Sequence, residues 1–143
     1  MKLSDLLAEK GTAVEVIEPS ATLAEVCARL SAHRIGALVV TSGSGPPIGI
    51  ISERDVVRVL AEHGADGIAV TVREAMSSPV VCRSPADDVL DLMALMTTER
   101  IRHVPVLDRG ALVGIVSIGD VVKSRLHELE RDRRELLEYV TAR

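Results

Sequence analysis

A chain of 143 residues holds one compact fold, or two half-size units that must share a core, because isolated units of about 60 residues are marginal. With 47% hydrophobic and 27% charged residues it reads as globular, not disordered. A net charge of −4, with one Tyr and no Trp or Phe, speaks against nucleic acid, whose phosphates need cations and whose bases need stacking platforms.

The opening "MKLSDLLAEKG" is too short and too charged for a signal peptide, and no apolar run approaches the roughly 20 residues of a membrane span, so a cytoplasmic address is expected. Its helix is expected to close over the module or to join an interface. A short strand over about 13–17 precedes a helix opened by Thr22, with Glu25 completing a capping box. Leu23, Val26, Cys27 and Leu30 recur along that helix at helical spacing.

Two strands follow, "GALVV" and "IGIIS", joined by "TSGSGPP". That glycine-rich join lacks the Lys-Ser/Thr ending of a phosphate loop and reads as a hairpin turn. A helix begins beside Asp55, and "EHGADGIAVTVREAM" links to the second half through a short helix.

The second half runs in the same order: a strand over 79–83, a helix carrying Val89, Leu92, Met93 and Met96, strands "HVPVL" and "LVGIVS" around "DRGA", and a helix beside Asp120. From Val121 that helix continues to the end. Val122, Leu126, Leu129, Arg133, Leu136 and Val140 are spaced alternately by four and three, a heptad seam that predicts self-association or a partner helix. Glu130 and Arg134 pair on the opposite, exposed face.

The halves are copies. Residues 14–40 lie over 80–106, with Pro19 on Pro85, Arg34-Ile35 on Arg100-Ile101 and Val40 on Val106, and "GIISERD" (49–55) returns as "GIVSIGD" (114–120). The order β-α-β-β-α, twice, predicts an α+β fold whose two sheets pack on each other about a pseudo-two-fold axis. Cys27 and Cys82 read as buried free thiols. His33, His63, His103 and His127 show no metal-ligand spacing, so no zinc site is expected.

The repeated motif supports two readings. Ser52 with Asp55, and Ser117 with Asp120, are cap signatures at a helix start. A capping box prefers the longer Glu or Gln, however, and a serine and a short carboxylate beside free helix N–H groups also suit a ribose phosphate.

The repeat, with "RIGALVV…GIISERDVV" and "RIRHVPV…GIVSIGDVV", resembles the cystathionine-β-synthase (CBS) domain, and the whole chain resembles one CBS pair, or Bateman module. The resemblance implies residues 10–64 as the first repeat, 65–78 as linker, 79–125 as the second repeat and 126–143 as a C-terminal helical extension. It also implies a regulatory fold that binds adenosine compounds: AMP, ADP, ATP, NAD or S-adenosylmethionine. Ribose and phosphate would be held by one copy and adenine by the other.

Carried over residue by residue, one cleft would combine Ser52, Arg54 and Asp55 with Ser78, Val80, Ile101, Arg102 and His103. The other would combine Ser117 and Asp120 with Thr12, Val14, Ile35, Gly36 and Ala37. The first is expected to bind phosphate more tightly, because Arg54, Arg102 and His103 have Gly119, Gly36 and Ala37 as counterparts.

The expected function is therefore a non-catalytic adenine-nucleotide sensor, a homodimer without a catalytic cofactor or metal, which signals to an effector protein and engages neither nucleic acid nor membrane. The alternative is a constitutive dimeric scaffold that has lost its ligand. No nucleophile with a base and an orienting group is evident, and Asp55 and Asp120 are expected to face separate clefts, which disfavours catalysis.

Overall fold

The computed structural model describes residues 1–142. α1 (Leu3–Lys10) stops at Gly11, whose φ of +99° suits glycine and whose N–H closes on the Leu7 carbonyl at 2.8 Å. β1 (Val16–Ile17) and α2 (Leu23–His33) follow. Thr22 caps α2 by accepting from the Glu25 N–H at 3.4 Å, the hydroxyl half of the expected box.

β2 (Ala37–Thr41) and β3 (Pro47–Ser52) form an antiparallel hairpin, and β1 joins β2 in parallel, giving a sheet ordered β1-β2-β3. After α3 (Glu53–His63), a 3-10 turn (Gly64–Ala69) and α4 (Val72–Ala75) lead to α5 (Val89–Glu99). β4 (His103–Asp108) and β5 (Ala111–Ser117) make a second antiparallel sheet, and α6 (Ile118–Thr141) ends the fold.

The strand expected over 79–83 does not form. A single parallel bridge, Arg83 to Val106, stands in its place. The cause lies in the neighbouring strand. In the first repeat the Val39 N–H donates to the Glu15 carbonyl at 3.1 Å, whereas the counterpart of Val39 is Pro105, which has no N–H to give.

Nor do the halves share one continuous core. Ile17, Leu23, Val26, Leu30, Leu38, Val40, Ile51, Val56 and Val59 form a first cluster with Val72 and Ala75 of α4. Val89, Leu92, Met96, Val104, Val106, Val116 and Val121 form a second with Leu3, Leu6 and Leu7 of α1. Each repeat is thus closed by the helix that precedes the other in sequence, and this exchange ties the halves together.

The exchange also accounts for the glycine in "GII" and "GIV". A Cβ on Gly114 would lie 2.6 Å from Leu7 Cδ2, and one on Gly49 would lie 2.5 Å from Met76 Sδ, just past α4. The close approach that these glycines permit is to the exchanged segments. The two sheets meet where β2 and β4 begin, with His103 Nε2 3.3 Å from where a Cβ on Gly36 would be.

Cys27 is exposed, contrary to expectation, because it lies at the edge of the α2 stripe whose buried members are Leu23, Val26 and Leu30. Cys82 is half-buried, and burial pushes its thiol pKa up against the pull of Arg83. Both are free thiols. Along α6, Val121 and Ser124 are buried, while Val122, Leu126, Leu129, Leu136 and Val140 of the heptad seam are exposed. α1 lies beside α6, with the Ser124 hydroxyl 3.0 Å from Met1 Sδ and Arg131 paired to Glu9 at 3.7 Å.

Candidate functional site

Each strand-to-helix corner carries its serine and aspartate as a complete capping box. At the first, the Asp55 N–H donates to Ser52 Oγ at 3.4 Å and the Ser52 N–H donates to Asp55 Oδ2 at 2.9 Å. At the second the corresponding distances are 3.1 and 2.8 Å. The shorter aspartate closes the box as glutamate does elsewhere, so the capping reading holds at both corners.

A cleft opens beside each box. The first, with roughly 730 Å³ of empty space that includes open solvent, is lined by Ser52, Glu53, Arg54 and Asp55 of the first repeat and by Arg100, Ile101, Arg102 and His103 of the second, with Gly36, Ile50 and Ser77 completing it. The second, roughly 1080 Å³ by the same measure, sets Ile115, Ser117 and Asp120 against Ala13, Glu15 and the run His33–Ala37, with Lys10 and His103 at its walls. Each cleft draws on both repeats, and Gly36 and His103 border both.

Most expected residues come together, and both departures fall on the extended segment ahead of each repeat. Ser78 and Val80 do not line the first cleft; the Ser78 hydroxyl donates to the Ile48 carbonyl at 3.2 Å, and Ser77 takes the lining position. Thr12 and Val14 do not line the second; Ala13 and Glu15 do. Side chains of an extended chain alternate between faces, so a slip of one residue exchanges the whole set.

The two carboxylates are held differently. Asp55 is 7% exposed and accepts from the Ser52 N–H, the Ser52 hydroxyl, the Ser77 hydroxyl at 3.2 Å and Arg58 Nη2 at 3.4 Å. Asp120 is half-buried and accepts from Lys10 Nζ at 2.6 Å, which also donates to the Ile115 carbonyl at 2.6 Å. Burial alone would raise the Asp120 carboxyl, but the Lys10 hydrogen bond, the Ser117 N–H and the Lys10 charge outweigh it and hold it below the usual carboxylate range. At His103, burial lowers the imidazole pKa, against Asp120 and Glu53 and together with Lys10 and Arg102.

The second cleft is therefore not poor in cations, as its glycines suggested. Lys10 and Arg34 reach it from outside the motif. Sequence reasoning missed Lys10 because α1 precedes the repeat, and it passed over Arg34 and Arg100 although their repetition was visible. Both arginines end a helix in the left-handed region, φ 54° each, where glycine is the usual residue, and each lines a cleft.

Replacing either arginine by glycine should raise the urea unfolding midpoint, by a stabilisation of about 1 kcal/mol, as the backbone strain is released. A lower midpoint would show that the guanidinium matters more to the fold than the strain costs, and would remove the clefts as the reason for its presence.

Among the described residues no group of three His, Cys, Asp or Glu side chains is arranged to hold a metal ion, and no helix is long and apolar enough to cross a membrane.

Comparison with known proteins agrees with this geometry. The family model for the CBS domain matches residues 10–62 and again 72–127. The mitochondrial CBS domain-containing protein CBSX3 of Arabidopsis thaliana is 32% identical over 146 residues, spanning 96% of this chain and 71% of its own. The crystal structure of the CBS-domain containing protein ATU1752 from Agrobacterium tumefaciens superposes with a TM-score of 0.84 at 44% identity, covering 87% of this chain and 92% of that one.

Two further solved structures hold ligands. The CBS domain protein PAE2072 from Pyrobaculum aerophilum, complexed with AMP, matches with a TM-score of 0.73 at 29% identity over 84% of this chain and 89% of its own. The CBS domain pair of protein MJ0100, in complex with 5′-methylthioadenosine and S-adenosyl-L-methionine, matches with a TM-score of 0.78 at 25% identity over 91% and 98%. With two matched repeats, exchanged helices and paired clefts, this chain belongs to the CBS-domain family as a tandem CBS pair.

Proposed function

We propose that the chain is a regulatory, non-catalytic module that senses an adenine nucleotide of the AMP, ADP, ATP or NAD type and passes its occupancy to an effector protein. The observation that carries this reading is the make-up of the clefts. Each sets a capped helix N-terminus of one repeat against a left-handed arginine of the other. A ligand there bridges the repeats and favours one relative arrangement of them, by no more than its differential affinity for the two arrangements. Related structures with AMP, methylthioadenosine and S-adenosylmethionine support an adenosine ligand.

A second copy of the chain is the partner proposed for the exposed seam of α6. In a parallel pair Val122, Leu129 and Leu136 take one set of seam positions and Leu126, Arg133 and Val140 the other. Heptad geometry then puts Arg125, which pairs with Glu128 of its own helix at 3.0 Å, across from Glu130 of the partner subunit, so that Glu130 borders the seam instead of facing away from it as expected.

One observation favours the scaffold alternative. Both Ser-x-x-Asp motifs cap their helices without any ligand, so a scaffold has its own use for them. Titration of AMP, ATP, NAD and S-adenosylmethionine into protein labelled at isoleucine methyls separates the readings, because Ile50 lines one cleft and Ile115 the other. The expected result is a saturable shift at one or both methyls, with stabilisation of about 2.7 kcal/mol at 100 times the dissociation constant. Silence from all four ligands would favour the scaffold. Sedimentation of the same samples should give a dimer; a monomer at every concentration would remove the second copy from the proposal.

A further inference from the structure

One oxygen of the Asp120 carboxylate is already occupied. Lys10 Nζ donates to it and to the Ile115 carbonyl, at 2.6 Å each, and the Ser117 N–H takes the same Oδ2 at 2.8 Å. If both ribose hydroxyls are to use Asp120, as the adenosine reading above requires, one takes the open Oδ1 and the other competes with the ammonium for Oδ2.

Lys10 has little freedom to withdraw. α1 is anchored in the second core by Leu3, Leu6 and Leu7, and Gly11 ends the helix one residue after Lys10. The side chain can swing, but its backbone stays. Displaced, the ammonium keeps a neutral carbonyl and a cleft that also holds Arg34 and His33, while Glu15, the other carboxylate there, is engaged by Arg29 at 3.0 Å. Lys10 is exposed, so water offsets part of what the ammonium loses with its anion. What the ligand brings decides whether the rest of that loss stands.

We infer that Lys10 makes the Asp120 cleft selective for nucleosides that carry a phosphate over the same nucleosides without one. A phosphate offers the ammonium a new anion when ribose takes the old one. A free 5′-hydroxyl offers no charge. A ligand with a cationic sulfonium adds repulsion.

At the Asp55 cleft the cation that bridges the carboxylate and a backbone carbonyl, Arg58 on Asp55 at 3.4 Å and on the Ala75 carbonyl at 2.8 Å, does not line the cleft. The repeat counterpart of Lys10 is Met76, whose sulfur lies over Gly49, and Asp55 is pinned by the Ser77 hydroxyl and by Arg58 from its own helix. The two clefts therefore differ in what they accept, with selectivity set by a residue outside both motifs.

The test compares AMP with adenosine at the Ile115 methyl in the wild type, Lys10→Met and Lys10→Arg, with the Ile50 methyl reporting the other cleft. Methionine keeps the unbranched stem and removes the charge; arginine keeps the charge. The expected result is a wild-type preference for AMP at Ile115 that shrinks about tenfold in Lys10→Met, the worth of one charge-assisted hydrogen bond. Adenosine should bind Lys10→Met more tightly than wild type, because no ammonium has to be displaced. Lys10→Arg should keep the preference, and the ratio at Ile50 should stay unchanged in both variants.

An unchanged AMP-to-adenosine ratio at Ile115 in Lys10→Met, with both ligands still bound, would overturn the inference and leave the adenosine reading standing. Absence of both ligands from wild-type Ile115 alone would overturn the inference, and their absence from Ile115 and Ile50 alike would overturn the adenosine reading itself. If Lys10→Met fails to fold, loss of the preference in Lys10→Arg would overturn the inference equally, since the charge is retained there.

Discussion

Leu6→Ala should lower the free energy of unfolding by about 3 kcal/mol, with the loss concentrated in the second repeat although Leu6 belongs to the first ten residues. Leu6 is 1% exposed and packs in the cluster that contains Val104, Val106 and Val116 of β4 and β5. Removing its three outer carbons costs their burial and leaves a void that the strands fill only in part. Urea unfolding gives the total, and amide exchange gives the place. Protection should fall further in β4 and β5 than in β2 and β3, whose cluster is closed by α4 instead. A cost below about 1 kcal/mol, or equal loss in both sheets, would refute the helix exchange as a main source of stability.

The two motif aspartates should differ in the same experiment. Asp55→Ala is expected to cost about 3 kcal/mol, because it removes a cap and leaves the Ser77 hydroxyl, Arg58 and the Ser52 N–H without their common acceptor. Asp120→Ala should cost only about 1 kcal/mol, the worth of the cap, since the exposed Lys10 that loses its carboxylate reaches water. The pH dependence follows from the direction of the shift. The folded Asp120 carboxyl lies below its unfolded value, so its contribution is present above about pH 4 and is lost as pH falls through the lowered value. The penalty of Asp120→Ala should therefore fade in acid. Equal penalties for the two variants at pH 7 would contradict the different hydrogen bonding of the two carboxylates. In a binding assay Asp120 is accordingly the cleaner position to alter, because loss of ligand in Asp55→Ala would be mixed with loss of structure.

What the sequence made legible was whatever is local or repeated. Helical spacing located α2 and α5, the doubled "GII" and "GIV" marked equivalent corners, and the heptad spacing exposed the outward seam of α6. The missing strand near Arg83 was legible too, had Pro105 been weighed as a neighbour that cannot donate. Other features depend on contacts distant in sequence. Nothing near Leu3, Leu6 and Leu7 shows that their partners lie some hundred residues onward, and so Lys10 could not be placed beside Asp120. The cleft walls failed at Thr12, Val14, Ser78 and Val80 for a different reason. An irregular extended segment carries no periodic signal to fix which of two alternating faces turns inward.

The exchange of α1 and α4 bears on how the chain is made. The first cluster draws on residues 17 to 75, so it can close while the ribosome is still adding the second repeat. The second needs Leu3, Leu6 and Leu7 together with Val121, so α1, made before both repeats, is among the last elements to be seated. Until then its leucines are exposed on the nascent chain. Chains stalled shortly before Val121 emerges should resist protease across the first repeat and be cut within residues 1–10, a window in which a chaperone that binds short apolar segments would find its substrate in α1.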